Sequence, residues 1–142
     1  MTKGEAVTSL SLNSLRRPDM TIKTLFQKVS EEKPNAFTDE KLLGFLNEIE
    51  IEVYEQLNIQ DEFEPYEMRD LERDESLQLD PPYDRLYVSY LKAMIDYANE
   101  EYDSYANNQA QHVQDFRDFV DWTVRTKQME DWKFPSRFIN AM

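Results

Sequence analysis

The fold is decided by residues 38–57, which read TDEKLLGFLNEIEIEVYEQL. Thr38 is a suitable N-cap residue, and Asp39 and Glu40 place carboxylates where the dipole of a helix favours anions. Further apolar side chains at Leu43 and Phe45 widen the apolar surface beyond the roughly 100° that packing on one neighbour requires. The segment predicts a helix with two or more packing partners, and its main stripe has a period of about 3.6 residues: Leu42, Leu46, Ile49, Val53 and Leu57.

A shorter helix is predicted upstream of this segment. It follows Met20 and is stopped by Pro34, which cannot continue a helix. Met20 could itself be a translation start, with residues 1–19 as an upstream extension. The apolar residues of this helix fall at i, i+3, i+4 and i+7, namely Ile22, Leu25, Phe26 and Val29.

Two further helices are predicted downstream. Asp80 before Pro81 and Pro82 is a helix start signal, because a capping carboxylate precedes a proline in the first turn. Asn107 and Asn108 have weak helix propensity and predict a break. The third helix has two adjacent apolar faces. The fourth has one, formed by Val113, Phe116, Val120 and Val124 and flanked by Phe119 and Trp122.

Residues 58–82 between the second and third helices combine dense charge with three prolines and predict a long charged connector. A small hairpin involving Leu77 and Leu79 is the alternative. With 142 residues, the chain has the length of one domain. The predicted fold is all-α, a small bundle of about four helices with extended termini. We divide it into a flexible arm (1–19), a helical domain (20–127) and an aromatic tail (128–142).

The composition excludes several classes of function. A formal charge of −13 argues against a binder of duplex DNA that works by neutralising phosphates. Two glycines are too few for a phosphate-binding loop or a dinucleotide fingerprint, and the single histidine and absence of cysteine exclude histidine-rich zinc sites and thiolate chemistry. His112 is expected to be a solvated side chain. The sequence therefore predicts no catalytic residue, no cofactor and no metal site.

Two alternatives remain open for so acidic a helical chain. Glu72 and Glu75, followed by Glu100 and Asp103, have the spacing of the carboxylate pairs that hold magnesium in helical nucleoside triphosphate pyrophosphatases. The charge alone would also suit an acidic mimic of DNA that occupies a nuclease or repressor.

Aromatic residues are concentrated in the second half of the chain. A nucleic-acid stacking platform is disfavoured, because the third helix carries few basic residues to form a groove for phosphates. Packing in the core or between subunits suits tyrosine better, since its ring can be buried while its hydroxyl stays hydrated. The residues predicted to form a protein interface are Tyr87, Tyr90, Tyr97, Tyr102, Tyr105, Trp132, Phe134 and Phe138.

Residues 20–127 carry a resemblance to a known family. The segments that carry it are Met20-Thr21-Ile22, residues 37–43 (FTDEKLL), residues 82–87 (PYDRLY), residues 90–96 (YLKAMID), Asn99-Glu100-Glu101, residues 105–108 (YANN), residues 116–122 and Arg125. This pattern resembles the head–tail connector, or head completion adaptor, proteins of tailed phages and prophages of Gram-positive bacteria. The chain departs from the family at Asn99, where a glycine is common, and at an inserted Ala106.

The resemblance implies a structural virion protein without catalytic residues. Its expected partners are further copies of itself in a ring, the portal protein above, and a tail or stopper protein below, with no membrane. It would be made in the host bacterial cytoplasm and end at the head–tail junction of the virion. Genomic DNA would pass through the ring without sequence-specific binding, and we expect acidic residues of the third helix and connector to face that channel. Residues 128–142 are expected to dock on the portal or a neighbouring component.

Overall fold

The computed structural model describes residues 20–133, with side chains described for residues 20–127. In this part of the chain the fold is all-α, as predicted, and the only β pairing is one isolated bridge. The predicted arm at residues 1–19 and the end of the tail at 134–142 lie outside the described residues. The helices are α1 (Ile22–Glu32), α2 (Asp39–Leu57), α3 (Met68–Glu72), α4 (Arg85–Ala98) and α5 (Tyr102–Lys133).

The first two predicted helices are confirmed, together with the Thr38 cap. Thr38 Oγ1 accepts a hydrogen bond from the backbone N–H of Lys41 at 3.2 Å, and Thr21 caps α1 in the same way through Thr24. α2 ends at Asn58, whose φ of 57° is left-handed. Asparagine tolerates that conformation better than most residues, so it suits the end of a helix.

The core lies where α2 and α4 pack together with α1, α5 and the connector. Most of the wide apolar surface of α2 and α4 is buried inside the chain. The physical reason is that the connector contributes Leu71, Leu77 and Leu79, all buried, to the same core. The fully buried leucine, isoleucine and valine residues of α2 and α4 are Leu46, Ile49, Val53, Leu86, Leu91 and Ile95.

The connector is long and mostly irregular, as predicted, but it is packed against the bundle. It contains the short helix α3, and within the described residues it forms no hairpin. Its second half instead pairs with the start of α1, where the N–H of Leu77 donates to Met20 at 2.9 Å and the N–H of Ile22 donates to Glu75 at 3.0 Å. Burial of alternate leucines at 77 and 79 holds this extended strand-like stretch against the core.

The start of α4 lies later than the predicted position at Asp80 and Pro81. Residues 81–84 form turns, in which the N–H of Tyr83 donates to the carbonyl of Asp80 at 3.0 Å, and the first helical residue is Arg85. Asp84, not Asp80, occupies the N-cap position. The double proline therefore precedes the helix instead of forming its first turn.

The predicted break at Asn107 and Asn108 is wrong. The break lies between Ala98 and Tyr102, and α5 continues through both asparagines. Asn108 is held there because its side-chain amide donates to Asp96 Oδ2 at 2.6 Å. A tertiary hydrogen bond thus compensates for the low helix propensity of asparagine.

The inward face of α5 also differs from the predicted stripe. Val113 and Val124 are each 46% exposed, whereas Phe119 is fully buried and Asp115 is nearly so. Because α5 begins at Tyr102 and packs along α4, its orientation is set by that packing and not by the valines. Val113 and Val124 therefore lie on the outer side of the helix, whereas Phe116 of the predicted stripe packs against the core.

Candidate protein interface at the α4–α5 turn

The turn between α4 and α5 has the hydrogen bonds of a Schellman motif. The N–H of Glu100 donates to the carbonyl of Tyr97 at 3.1 Å, and the N–H of Glu101 donates to the carbonyl of Asp96 at 2.9 Å. Glu100 has a left-handed φ of 59°, at the position where glycine is usual. These bonds fix the direction in which α5 leaves α4.

Three of the tyrosines predicted to form an interface meet at this turn. The ring of Tyr97 lies 6.2 Å from that of Tyr102 and 5.3 Å from that of Tyr105, centroid to centroid. Tyr97 is 58% exposed and Tyr102 is 57% exposed, while Tyr105 is half-buried. Exposed aromatic rings that contact one another form a surface typical of protein–protein contacts.

A buried ion pair lies beneath this tyrosine cluster. Lys33, which ends α1, contacts Asp96 Oδ1 at 2.6 Å and Glu101 at 2.8 Å. Asp96 Oδ2 accepts hydrogen bonds from Ser104 and Asn108, each at 2.6 Å. One fully buried carboxylate therefore ties the end of α1 and the start of α5 to α4, so the turn is a rigid base for the tyrosines.

The environment shifts the pKa values of this pair in opposite directions. Burial alone would raise the pKa of Asp96, but hydrogen bonds from Lys33, Ser104 and Asn108 together hold it below its ordinary value. Hydrogen bonds to Asp96 and Glu101 raise the pKa of Lys33. Both groups are therefore charged across the neutral range.

We expect Glu100→Gly to stabilise the fold, because a side chain in the left-handed region costs about 1–2 kcal/mol. Glycine relieves that cost but adds about 0.5–1 kcal/mol of backbone entropy to the unfolded chain. The free energy of unfolding, measured in urea, should therefore rise by up to about 1 kcal/mol. A loss of stability would show that the Glu100 side chain makes a compensating contact. Glu72→Gly, within α3, is the control and should destabilise.

The other two tyrosines of the predicted set lie away from the cluster. Tyr87 is fully buried, so its ring packs in the chain's own core and is not available to a partner. Tyr90 is half-buried, and its hydroxyl donates to Glu48 of α2 at 2.9 Å. Burial raises the pKa of the Tyr90 hydroxyl, and Glu48 adds to this effect.

Tyr87 belongs to a buried polar cluster that the sequence did not reveal. The cluster is centred on Glu50, which is fully buried. The hydroxyls of Tyr66 and Tyr87 each donate to its carboxylate at 2.7 Å, and the N–H of Gln78 donates at 3.4 Å. Since Tyr66 and Gln78 belong to the connector, Glu50 attaches both parts of the connector to α2. The periodicity of α2 could not show this, because Glu50 adjoins its main stripe but is charged.

Burial raises the pKa of Glu50 above its ordinary value of 4.5, although its three hydrogen bonds partly oppose the shift. The folded state therefore binds this proton more tightly than the unfolded state. The contribution of Glu50 to the free energy of unfolding is therefore complete when the pH is below the ordinary pKa of 4.5. It is lost as the pH rises through the raised pKa of the folded state.

We expect Glu50→Gln to remove this pH dependence. The free energy of unfolding of the wild type, relative to that of the variant, should fall as pH rises from 4.5 through the raised pKa. Urea unfolding of both proteins across this range measures the difference. The matched control is Glu55→Gln, which removes an exposed carboxylate from the same helix. A difference that stays constant with pH would contradict the assignment.

His112 is buried, contrary to the expectation of a solvated side chain. Its Nδ1 donates to the carbonyl of Leu86 at 3.1 Å, and its ring packs against Tyr90 and Phe116. Burial lowers the pKa of His112. The ring therefore serves as a neutral packing element between α4 and α5.

The carboxylate pairs of the magnesium alternative do not share a helix face. Glu72 ends α3 and Glu75 lies outside it, while Glu100 lies in the turn and Asp103 in α5. Among the described residues, no three His, Asp or Glu side chains form a group that could hold a metal ion. None of the helices in this region is both long and apolar enough to span a bilayer.

The three interface residues predicted in the aromatic tail lie outside the part of the chain whose side chains the structure describes. Trp132 falls within α5, but its side chain is not among those described. Phe134 and Phe138 lie wholly outside the described residues.

Comparison with known proteins identifies no relative of this chain. A scan against protein-family models, a search of curated proteins and a search of solved structures each found no significant match.

Proposed function

We propose that this chain is a structural adaptor of the head–tail junction of a tailed phage or prophage. In this role it forms a ring of like copies beneath the portal protein and joins the DNA-filled head to a tail or stopper protein. The proposal combines the resemblance of residues 20–127 to head–tail connectors with one structural observation. That observation is the exposed cluster of Tyr97, Tyr102 and Tyr105 on a rigid turn.

The cluster supports an adaptor because of how it is built. Its exposed rings contact each other, so their conformational freedom is already reduced before a partner binds. The ion pair of Asp96 and Lys33 fixes the helices beneath them. Preorganised aromatic side chains are the usual energetic centres of protein interfaces.

The acidic composition fits the same role. A ring through which DNA slides benefits from weak contact with phosphate, because a strongly basic lining would bind DNA through counterion release. We keep the proposal that acids of the connector and α4 region face the channel. Asp96 is not among them, since it is buried and paired with Lys33.

We expect the double variant Tyr97→Ser, Tyr102→Ser to lose the protein contact that this cluster makes in the head–tail junction, either with a neighbouring copy or with another virion protein. Two interface residues worth about 1.5–2 kcal/mol each correspond to a loss of affinity on the order of 100-fold or more. The assays are self-association and binding to purified portal protein, followed by complementation of a phage that lacks the gene. The variant should yield DNA-filled heads without tails.

The matched control is Ile51→Ser, which removes an apolar side chain of 43% exposure from α2. Urea unfolding of each variant separates loss of binding from loss of fold. Wild-type assembly by the folded double variant would contradict the role of the cluster. Hydrolysis of noncanonical nucleoside triphosphates that is lost in Glu100→Gln would instead favour the pyrophosphatase, and tight binding to a nuclease or repressor would favour the DNA mimic.

A further inference from the structure

A groove with three basic side chains lies between α1, α4 and α5. It has a volume of about 210 Å³, and its cations are Lys28, Arg85 and Lys92. The carboxylates that line it are Glu32 and Asp115, so its formal charge is 3 − 2 = +1. This groove is a basic surface in a chain whose formal charge is −13.

The three cations of the groove differ in whether they have a partner within the chain. Lys92 forms an ion pair with Glu32 at 3.1 Å, and Arg85 Nε donates to the carbonyl of Pro82 at 3.2 Å. Lys28 is exposed and has no ion-pair partner among the described residues. The groove therefore keeps positive charge that the described part of the chain does not neutralise.

An exposed surface with negative charge lies at the α4–α5 turn. We call it the aromatic–acidic patch and define it as Tyr97, Glu100, Tyr102 and Asp103. All four side chains are exposed. In the described part of the chain, neither Glu100 nor Asp103 forms an ion pair. Carboxylates beside exposed tyrosine rings suit a cationic partner, because the faces of aromatic rings also attract cations.

The patch and the groove face different directions on α4. Tyr97 follows Lys92 by five residues, which turns it about 140° around the helix axis. Lys92 points towards Glu32 of α1, whereas Tyr90, on the same side as Tyr97, points towards Glu48 of α2. Each surface is therefore open to a different neighbour.

We propose that the aromatic–acidic patch of one copy docks against the basic groove of a second copy. Such a contact joins unlike surfaces, and a contact of this kind closes into a ring when the rotation between copies permits it. The inference rests on the proposed adaptor function, because that function requires a ring of like copies. Glu100 and Asp103 meet Lys28 and Arg85, and the rings of Tyr97 and Tyr102 cover the cations.

Cross-linking tests this contact directly, because the chain contains no native cysteine. One population carries Lys28→Cys and the other carries Glu100→Cys, with different tags so that mixed dimers are identified by mass. A short bis-maleimide is added at the highest soluble concentration. We expect the mixed pair to cross-link at least several-fold faster than Lys28→Cys mixed with Gln60→Cys, an exposed position on the connector. Equal rates would overturn the proposal.

Charge reversal provides a second, independent test in particle assembly. Lys28→Glu or Glu100→Lys should each reduce assembly, and co-expression of the two should restore it, since the reversed charges then face each other. Failure of the mixture to exceed either variant alone would overturn the proposal. Binding of inorganic phosphate that requires Lys28, without selective cross-linking, would overturn it as well and identify an anion site.

Portal binding by Lys28→Glu, a variant outside the aromatic–acidic patch, separates this inference from the proposed function. If Lys28→Glu binds portal normally and the cross-linking is unselective, the contact between copies is wrong and the adaptor function stands. If the wild type binds neither portal nor tail components, the adaptor function fails, whatever the cross-linking shows.

Discussion

Phe119→Ala is expected to lower the free energy of unfolding by about 3–5 kcal/mol, the usual cost of removing a buried phenylalanine. Phe119 of α5 is fully buried, and its ring contacts Phe116 and Trp122 at centroid distances of 5.7 and 6.3 Å. Truncation leaves a cavity where α5 meets the core. Equilibrium unfolding in urea, followed by far-ultraviolet circular dichroism, measures the loss.

Val124→Ala is the matched control on the same helix. Its side chain is 46% exposed, so the loss should stay within about 0.5 kcal/mol. The pair of variants therefore distinguishes the observed inward face of α5 from the valine stripe predicted by periodicity. A larger loss for Val124→Ala than for Phe119→Ala would contradict the observed face.

Asp96→Asn is expected to lower the free energy of unfolding by about 2–3 kcal/mol. Breaking a buried ion pair costs more than removing an exposed one, and hydrogen bonds to a charged group are worth about 1.5–3 kcal/mol each. This expected loss is smaller than the usual cost of about 3–5 kcal/mol for breaking a buried ion pair. The reason is that Lys33 keeps Glu101 as a partner in the variant. Glu101→Gln is the control: the Glu101 side chain is 49% exposed, so the loss should be at most about 1 kcal/mol.

Titration of either member of the Asp96–Lys33 ion pair should lower the free energy of unfolding, at low pH for Asp96 and at high pH for Lys33. The pKa of Asp96 is lowered on folding, so its contribution is present above the ordinary value of 3.8 and is lost as pH falls through the lowered pKa. The pKa of Lys33 is raised, so its contribution is lost only as pH rises through a value above 10.5. Asp96→Asn should remove the acid-side loss, and equal acid sensitivity of variant and wild type would contradict the pairing.

Helices whose ends carry local signals could be predicted from the sequence. Thr38 with Asp39 and Glu40 marked the start of α2, and Pro34 marked the end of α1. These signals act within a few residues, so a single sequence contains them. The contact of Tyr97 with Tyr102 could not be predicted in this way, because helical periodicity places Tyr97 and Tyr105 on one face and Tyr102 on the adjacent one, and the break between Ala98 and Tyr102 carries no clear local signal.

Features that depend on tertiary contacts were not predicted. The low helix propensity of Asn107 and Asn108 predicts a break, but the side chain of Asn108 donates a hydrogen bond to Asp96. His112 and Glu50 were not expected inside the fold, since polar side chains are buried only where partners satisfy them, and those partners lie far away in the sequence. Tyr66, Tyr87 and Leu86 supply these partners.

The length of α5 has a consequence for whatever follows it. Tyr83, just before α4, stacks on Trp122 at 5.1 Å, so the helix from residue 123 to Lys133 continues past the start of α4. Eleven further residues add about 16 Å, and each residue advances the chain by about 1.5 Å while turning it by about 100°. Inserting or deleting one residue in this stretch would change both the distance and the direction in which the following segment is presented, whereas a substitution would change neither.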